Sequence, residues 1–489
     1  QGRYSFPRAR LAPGQYSIRI RAVGYEMENP GPVEVTAQNA ASLDLKLVKA
    51  QDLAYQLTNT EWIMSMPGTE EQKNVFTGCV GCHTLERIVR SRYNATEFVQ
   101  VMQRMRNYSQ GAIPLRPRMR PMPRTFSEAQ LERVAQQAEY LSTINLSSGS
   151  SWDYSLKTLP RPKGKATRVI ITEYDLPRMG TQPHDAAVDA DGMVWYADFG
   201  QQYIGKLDPK TAQVVEYPVP ELIKGHPPGL LDLQFDQDGN IWFGMMHQGG
   251  IAKFDPKTEK FQTWDSPVDH DATEDRIAMV MPRFHHVDGK VWAGGPDEWQ
   301  IDVRSGEWVA IDYLRDEPKD SRAASRRRGS YGVVSDSKNN FYGLELGGDY
   351  VIRVDAKTLS STFYPTPTPN SGPRRGHMDA QDRLWFAEFR GNRIGMLDTK
   401  TERIQEWELP TPLTNPYDAI LDGHGEAWTG GMYSDRVVRL NPQTGEFTEY
   451  LLPRSTNIRR VDVDSSTNPA TFWVGNNHGS SLIKLEPLE

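Results

Sequence analysis

Leu384-Trp385-Phe386-Ala387-Glu388-Phe389-Arg390-Gly391-Asn392-Arg393-Ile394-Gly395 reads as an aromatic strand, a tight turn and the start of a second strand. The same phrase recurs along the chain. Asp191-Gly192-Met193-Val194-Trp195-Tyr196, Asp238-Gly239-Asn240-Ile241-Trp242-Phe243 and Asp288-Gly289-Lys290-Val291-Trp292 precede it, followed by Asn339-Asn340-Phe341-Tyr342. Asp382-Arg383-Leu384-Trp385, Gly425-Glu426-Ala427-Trp428 and Phe472-Trp473 complete the series. Taking the aromatic anchors as 195, 242, 292, 341, 385, 428 and 473, the spacings are 47, 50, 49, 44, 43 and 45 residues. A repeat of about 40–50 residues with several short strands per copy is the signature of a β-propeller.

A second series counts the blades. Its members are Thr172-Glu173-Tyr174, Val215-Glu216-Tyr217, Gln262-Thr263-Trp264, Ala310-Ile311-Asp312-Tyr313, Ser361-Thr362-Phe363-Tyr364, Gln405-Glu406-Trp407 and Thr448-Glu449-Tyr450. The first member precedes the first anchor, and the chain stops at Leu482-Ile483-Lys484-Leu485 without an eighth. The Thr172 strand is therefore expected to complete the last blade, closing seven blades into a ring without a free edge. This repeat resembles the virginiamycin B lyase (streptogramin lyase) family over residues 168–489. The resemblance implies a seven-bladed propeller and, in the lyases, a ring-opening elimination run by a histidine base and a metal-supported carboxylate site.

Pro183-His184 matches the position that often carries histidine in that family. Counting back from the other anchors, the same slot holds Tyr331, Arg374, Tyr417 and Arg459, which are expected to gather at one channel mouth with Asp198, Glu345 and Glu388 nearby. His184, Tyr331, Arg374 and Tyr417 are the candidate catalytic residues. The family's grouped His-Glu-His set is missing, and His478 is displaced from the pattern. His184 is accordingly read as a hydrogen-bonded channel residue before a general base. His285 and His286 read as loop residues, and Arg326-Arg327-Arg328 as a solvated loop.

Cys79-Val80-Gly81-Cys82-His83 holds both cysteines of the 489 residues. C-x-x-C-H is the attachment pattern of c-type haem: two thiols for two vinyl groups and an axial imidazole for iron. No further ligands stand at zinc spacing. Helical periodicity flanks the motif over Glu70–Thr77, Thr84–Arg92 and Ala95–Asn107, and Ser127 is placed to cap a closing helix. This order resembles a class I cytochrome c over residues 65–146. The resemblance implies one covalent haem c, held by Cys79, Cys82 and His83. Its sixth ligand is expected from Met122, which precedes Pro123, with Met119 the alternative and Met102 and Met105 read as core filling.

Residues 1–50, with Pro13-Gly14-Gln15-Tyr16 and Gly24-Tyr25, resemble the later part of a carboxypeptidase regulatory-like domain, a small β-sandwich. The expected organisation is multidomain and mainly β. It comprises a partial sandwich (1–50), an all-α cytochrome c domain (51–146), a linker (147–166) and the propeller (167–489). A net charge of −7 argues against general nucleic-acid binding, and no apolar run is long enough to span a membrane. Nine arginines against two glutamates between His83 and Arg124 point to an acidic redox partner. The expected function is electron transfer in the periplasm or outside the cell, where such haem is attached. The propeller serves there as a platform for a partner or a small-molecule ligand. A haem-coupled oxidoreductase with its substrate at the channel, or a streptogramin-type lyase with an accessory haem domain, are the alternatives.

Overall fold

The computed structural model describes residues 3–38, 41–120, 122–267, 277–295, 297–317 and 330–488; Arg326–Arg328 lie outside them. Seven four-stranded antiparallel sheets span 183–218, 230–265, 279–311, 332–365, 373–408, 416–451 and 461–487, the last completed by Val169–Asp175. That strand runs alongside Ser481–Pro487 in continuous register, from Ser481 opposite Asp175 to Pro487 opposite Val169. The ring thus closes as the repeat count requires. At the seam the last blade approaches the first so closely that a Cβ on Gly475 would strike the Pro183 carbonyl.

One hydrogen-bonded unit recurs in the blades. An aspartate at the end of the innermost strand turns the chain and also accepts the indole N–H of the tryptophan six residues on. The Trp–Asp distances are 2.8 Å for Trp195–Asp189, 2.8 Å for Trp242–Asp236, 3.0 Å for Trp385–Asp379 and 2.8 Å for Trp428–Asp422. The other carboxylate oxygen of Asp422 accepts the amides of His424 and Glu426, each at 2.9 Å. In the fourth blade Tyr342 stands at the anchor position, its hydroxyl 3.2 Å from Asp336. The anchor there is Tyr342 and not Phe341, which packs instead against Trp292. Period-two alternation makes the two neighbours interchangeable in sequence until the aspartate partner is identified.

The two aromatic series meet. Trp242 stacks on Trp264 (5.0 Å, 13°), Trp385 on Trp407 (5.6 Å, 16°) and Trp428 on Tyr450 (6.4 Å, 11°). Tyr174 from the closing strand stacks on Trp473 of the last blade (5.9 Å, 27°). Second strands such as Val194–Asp198 are buried on both faces between neighbouring blades. Outermost strands such as Arg403–Glu408 alternate exposed and partly buried residues, as a half-solvated sheet face requires.

Among the described residues the α-helices are few and fall between the N-terminal strands and the ring: α1 (Asn59–Ser65), α2 (Glu70–Lys73), α3 (Phe76–Cys79), α4 (Glu86–Val89), α5 (Ala95–Arg106) and α6 (Glu128–Ile144). Capping boxes start four of them, at Thr58, Thr69, Asn94 and Ser127. Trp62, Phe76, Val80, Leu85, Phe98 and Leu141 share one buried cluster with Phe389, Tyr417, Met432 and Tyr433 of the propeller. The helices and the ring are packed together. Residues 147–166 are docked as well, with Trp152 donating to the Val89 carbonyl (3.0 Å) and the Leu159 amide donating to Glu61 (2.8 Å). Near the N-terminus, Gly14–Tyr16 pairs with Val33–Val35 and Tyr25–Met27 with Leu47–Lys49. These are two short ladders of three residues each, too short to bury a core of their own. Arg21 fastens this segment to Asp435 at 2.9 Å.

Asp422→Ala leaves the Trp428 indole N–H buried and unpaired and frees two turn amides. It is expected to cost about 2–4 kcal/mol, with Asp422→Asn costing less, as read from urea unfolding midpoints.

Candidate functional site

A β-bulge at the same place in several blades explains how the channel mouth is lined. The register shifts between Pro183 and Asp185, Leu231 and Gln234, Pro373 and Gly376, and Pro416 and Ala419. A bulge re-aims side chains that strict alternation would send to opposite faces. Two successive residues of an innermost strand can therefore contribute to the channel: His184 with Asp185, Arg374 with Arg375, Tyr417 with Asp418.

The five slot residues come together. His184 Nδ1 lies 3.1 Å from the Asp185 carboxylate, and its Nε2 lies 3.0 Å from the Tyr417 hydroxyl. The Tyr417 and Tyr331 hydroxyls are 2.7 Å apart, and Arg374 donates to Tyr331 at 3.0 Å. The Arg374 guanidinium also lies 3.9 Å from the ring centre of Tyr417 and 4.3 Å from that of Phe389. Arg459 sits 5.5 Å from the Tyr417 ring. Because a carboxylate only accepts, the proton of His184 stands on Nδ1, and Nε2 accepts from Tyr417. The row Asp185–His184–Tyr417–Tyr331–Arg374 is thus a continuous hydrogen-bonded chain across four blades.

Burial pushes His184 down to about 4 in spite of Asp185, so the imidazole is neutral. Burial alone would raise Tyr331, but Arg374, Arg375 and Arg459 outweigh it and pull the phenol down to about 7. Tyr417 moves the other way, raised by burial and by Tyr331. Sequence counting missed the layer one residue further on. Arg375 pairs with Asp232 at 2.5 Å, Arg460 bonds the same carboxylate, and His377 lies 3.1 Å from Asp418. The signal was present: a charged residue follows the slot at Asp185, Arg375, Asp418 and Arg460.

The three expected acidic neighbours are all buried. Asp198 pairs with Arg178 at 3.0 Å and accepts the Gln182 and Gly200 amides. Glu388 is buried, and that burial with Glu406 beside it pushes its carboxyl up to about 9. Glu345 is buried at the end of Phe341–Leu344. His285 and His286 lie in a short turn, His285 near Trp242 (5.9 Å between rings). Among the described residues no three His, Cys, Asp or Glu side chains are grouped to hold a metal ion.

The cysteine motif lies against this mouth. Cys79 ends α3, the Cys82 amide donates to the Cys79 carbonyl (3.3 Å), and both thiols are unbridged. His83 Nδ1 is 2.9 Å from the Thr84 carbonyl, which places its proton there and leaves Nε2 with its lone pair. The Val80 and Gly81 carbonyls accept from Asn457 (3.1 Å) and Arg459 (2.8 Å) of the last blade. His478, which slot counting set aside, stands 3.4 Å from the Gly81 carbonyl. On the far side of the mouth, Gln182 donates to the Gly111 carbonyl (2.6 Å) and Arg118 to that of Pro228 (2.9 Å). Gly111, at φ +78°, comes so near Phe199 that a Cβ would lie 2.6 Å from its carbonyl oxygen. Met119 and Met122 are exposed, Met119 bridging to Tyr108, while Met102 packs into the cluster that also contacts Cys79.

No protein-family model matches the chain, and no curated protein matches it. Solved structures do. Virginiamycin B lyase from Staphylococcus aureus is 21% identical with a TM-score of 0.54, over 65% of this chain and 100% of the lyase. A catalytically inactive histidine-to-alanine variant of that lyase with quinupristin gives the same figures. A streptogramin B lyase structure is 19% identical with a TM-score of 0.54, over 66% of this chain and 99% of its own. At these identities the likeness is one of fold, a seven-bladed propeller.

Tyr331 acquires its acidity on folding, since an unperturbed tyrosine titrates near about 10. The stability this contributes is complete above about pH 10 and disappears as pH falls through about 7. Denaturant unfolding across that window is expected to show a free-energy gap between wild type and Tyr331→Phe that widens with rising pH.

Proposed function

We propose that this chain is a monohaem c-type cytochrome, working in the periplasm or outside the cell, which transfers electrons beside a ligand-binding propeller mouth. The observation that carries this reading is the Cys79–His83 segment. It offers two unbridged thiols one turn apart and an imidazole whose Nδ1 is committed to the Thr84 carbonyl, leaving Nε2 for a metal. The residues fit a thioether-linked haem: open space lies where a Cβ on Gly78 would point, and an apolar cluster including Phe76, Val80, Leu85 and Phe98 packs around Cys79. Cys79 and Cys82 would bind the group and His83 would supply one axial nitrogen. When bound, haem supplies a one-electron couple at a potential set largely by its second ligand. Met122 remains the favoured source of that ligand, with Met119 the alternative; their exposure requires the 108–124 loop to rearrange around the group. No helix among the described residues is long and apolar enough to cross a membrane.

The basic helical segment supports an acidic redox partner. Arg90 is taken up by Asp52 and Glu86, and Arg118 by the propeller, whereas Arg87, Arg104 and Arg116 are exposed. Association is then steered by charge and weakened by salt.

The propeller likeness favours a second reading, an elimination lyase acting on a cyclic depsipeptide. His184 is neutral as a base requires, yet its Nε2 is engaged by Tyr417. That geometry favours a positioned channel residue.

Protein matured with the haem-attachment machinery is expected to give a pyridine haemochrome spectrum and a mass increased by one haem. Both signals disappear in Cys79→Ala/Cys82→Ala. Met122→Ala is expected to abolish the Met–iron charge-transfer band and lower the potential. Absence of covalent haem, together with ring opening of quinupristin on incubation, would give the lyase reading precedence.

A further inference from the structure

The arginines at the mouth fall into two kinds. Arg375 and Arg460 are buried and neutralised, both bonding Asp232, with Asp418 3.7 Å from Arg460 as the second carboxylate. Arg374 and Arg459 are buried to 7% and 6% exposure, yet among the described residues no carboxylate stands within ion-pair distance of either. The polar contacts of Arg374 are the Tyr331 hydroxyl and the Met432 sulfur (3.6 Å), and its Nε has no hydrogen-bond partner. Arg459 meets the Asn457 amide oxygen at 2.6 Å and the Gly81 carbonyl at 2.8 Å, neutral acceptors both. Burying a guanidinium without a counter-charge costs several kcal/mol, which the fold elsewhere avoids by pairing. Aromatic faces offset part of that cost and one ionised phenol at most one charge, so two cations are left with less than two compensating anions.

We propose that Arg374 and Arg459, with the Tyr331 hydroxyl, form a binding site for a small aromatic carboxylate at the propeller mouth. A planar carboxylate matches the planar donor fork of arginine. The Arg374 guanidinium lies over the rings of Tyr331, Tyr417 and Phe389, so the donor fork is set in an aromatic wall whose free edges an aromatic body meets. Tyr331 is the least buried of the polar groups, so the site opens on its side. The inference stands on propeller residues and holds whether or not haem is attached. The same carboxylate chemistry could come from haem propionates. A porphyrin carries these on the edge opposite the vinyl groups that Cys79 and Cys82 would take, which makes the chain's own haem the less suited source for a site touching Gly81.

The test is calorimetric titration of benzoate into the full chain, with acetate and chloride as comparison anions. Benzoate is expected to bind, acetate more weakly and chloride weakest. Arg374→Gln and Arg459→Gln each weaken benzoate about tenfold to a hundredfold, Arg374→Lys recovers part of the loss, and the exposed Arg116→Gln changes nothing. A stability measurement stands independently of the probe. Without benzoate, and at about pH 6 where Tyr331 is protonated, Arg374→Gln is expected to unfold at the wild-type denaturant midpoint or above it, because an uncompensated charge has been removed, whereas Arg375→Gln breaks a buried pair and unfolds earlier. The proposal is overturned if neither organic acid binds, if chloride competes equally, or if Arg374→Gln destabilises as much as Arg375→Gln. It is also overturned if benzoate binds only Cys79→Ala/Cys82→Ala, since propionates then occupy the site.

Discussion

The aspartate that ends an innermost strand and holds the indole of its own blade is the interaction on which the rest of the ring depends. One carboxylate does two jobs there. In the Asp422 copy, one oxygen fixes the turn through two backbone amides and the other satisfies the buried N–H of Trp428. That second bond lets a tryptophan occupy the middle of a sheet buried on both faces without an unsatisfied donor. The indole is then free to stack on the outer aromatic, Tyr450 in this blade, which joins the second strand to the rim. The third blade lacks the aspartate, and Trp292 bonds the Asn339 carbonyl of the next blade instead. The donor is satisfied across the blade boundary, so the requirement persists where the residue does not.

Rigid blades leave the inner ends of the strands free to carry chemistry, and the bulges decide what they carry. Strict alternation would give each innermost strand one side chain per level at the channel. The bulge adds a second, and the added residues are largely ionic: Asp185, Asp232, Arg375 and Asp418. They form a neutralised layer, in which Asp232 serves two arginines. Above it the layer of His184, Tyr331, Arg374, Tyr417 and Arg459 is tied by hydrogen bonds and ring contacts, with Asp185 its nearest carboxylate. Its electrostatics are therefore unbalanced toward positive charge, which is what draws the Tyr331 phenol down.

The propeller was legible because its signals are periodic and local: an aromatic anchor every 43 to 50 residues, a second aromatic series, and a strand ahead of the first copy. The one misplaced anchor, Phe341 for Tyr342, lies where two aromatics adjoin and only the Asp336 contact separates them. The slot residues were legible for the same reason, three of the five being marked by Pro183, Pro373 and Pro416 and the other two placed by spacing from their anchors. The layer beneath was not, although a charged residue follows the slot at Asp185, Arg375, Asp418 and Arg460, because strict alternation assigns that residue to the opposite face. The acids Asp198 and Glu388 were expected at the channel from their place at strand ends; Asp198 is instead paired with Arg178, and Glu388 is buried beside Glu406. In residues 147–166 the aromatic and proline content, Trp152 with Pro160 and Pro162, already pointed to partial docking, and Trp152 and Tyr154 make that contact through single hydrogen bonds to backbone carbonyls.

The relation between the cysteine motif and the channel follows from packing. Val80 and Phe76 of the motif's helix are buried in the same cluster as Tyr417, Met432 and Tyr433, so the segment cannot leave the mouth without exposing that apolar surface. The contacts that position it are two backbone carbonyls, Val80 and Gly81, held by Asn457 and Arg459. Backbone acceptors fix the loop while leaving the side chains of Cys79, Cys82 and His83 uncommitted to the ring. Arg459 also faces Tyr417, and Tyr417 leads through Tyr331 to Arg374. A single guanidinium thus touches both the cysteine loop and the phenol chain. Any group that displaces Arg459, whether by binding at the mouth or by attachment at Cys82, acts on the other site through the same side chain. That shared contact couples the position of the cysteine loop to that of the phenol chain at the propeller mouth.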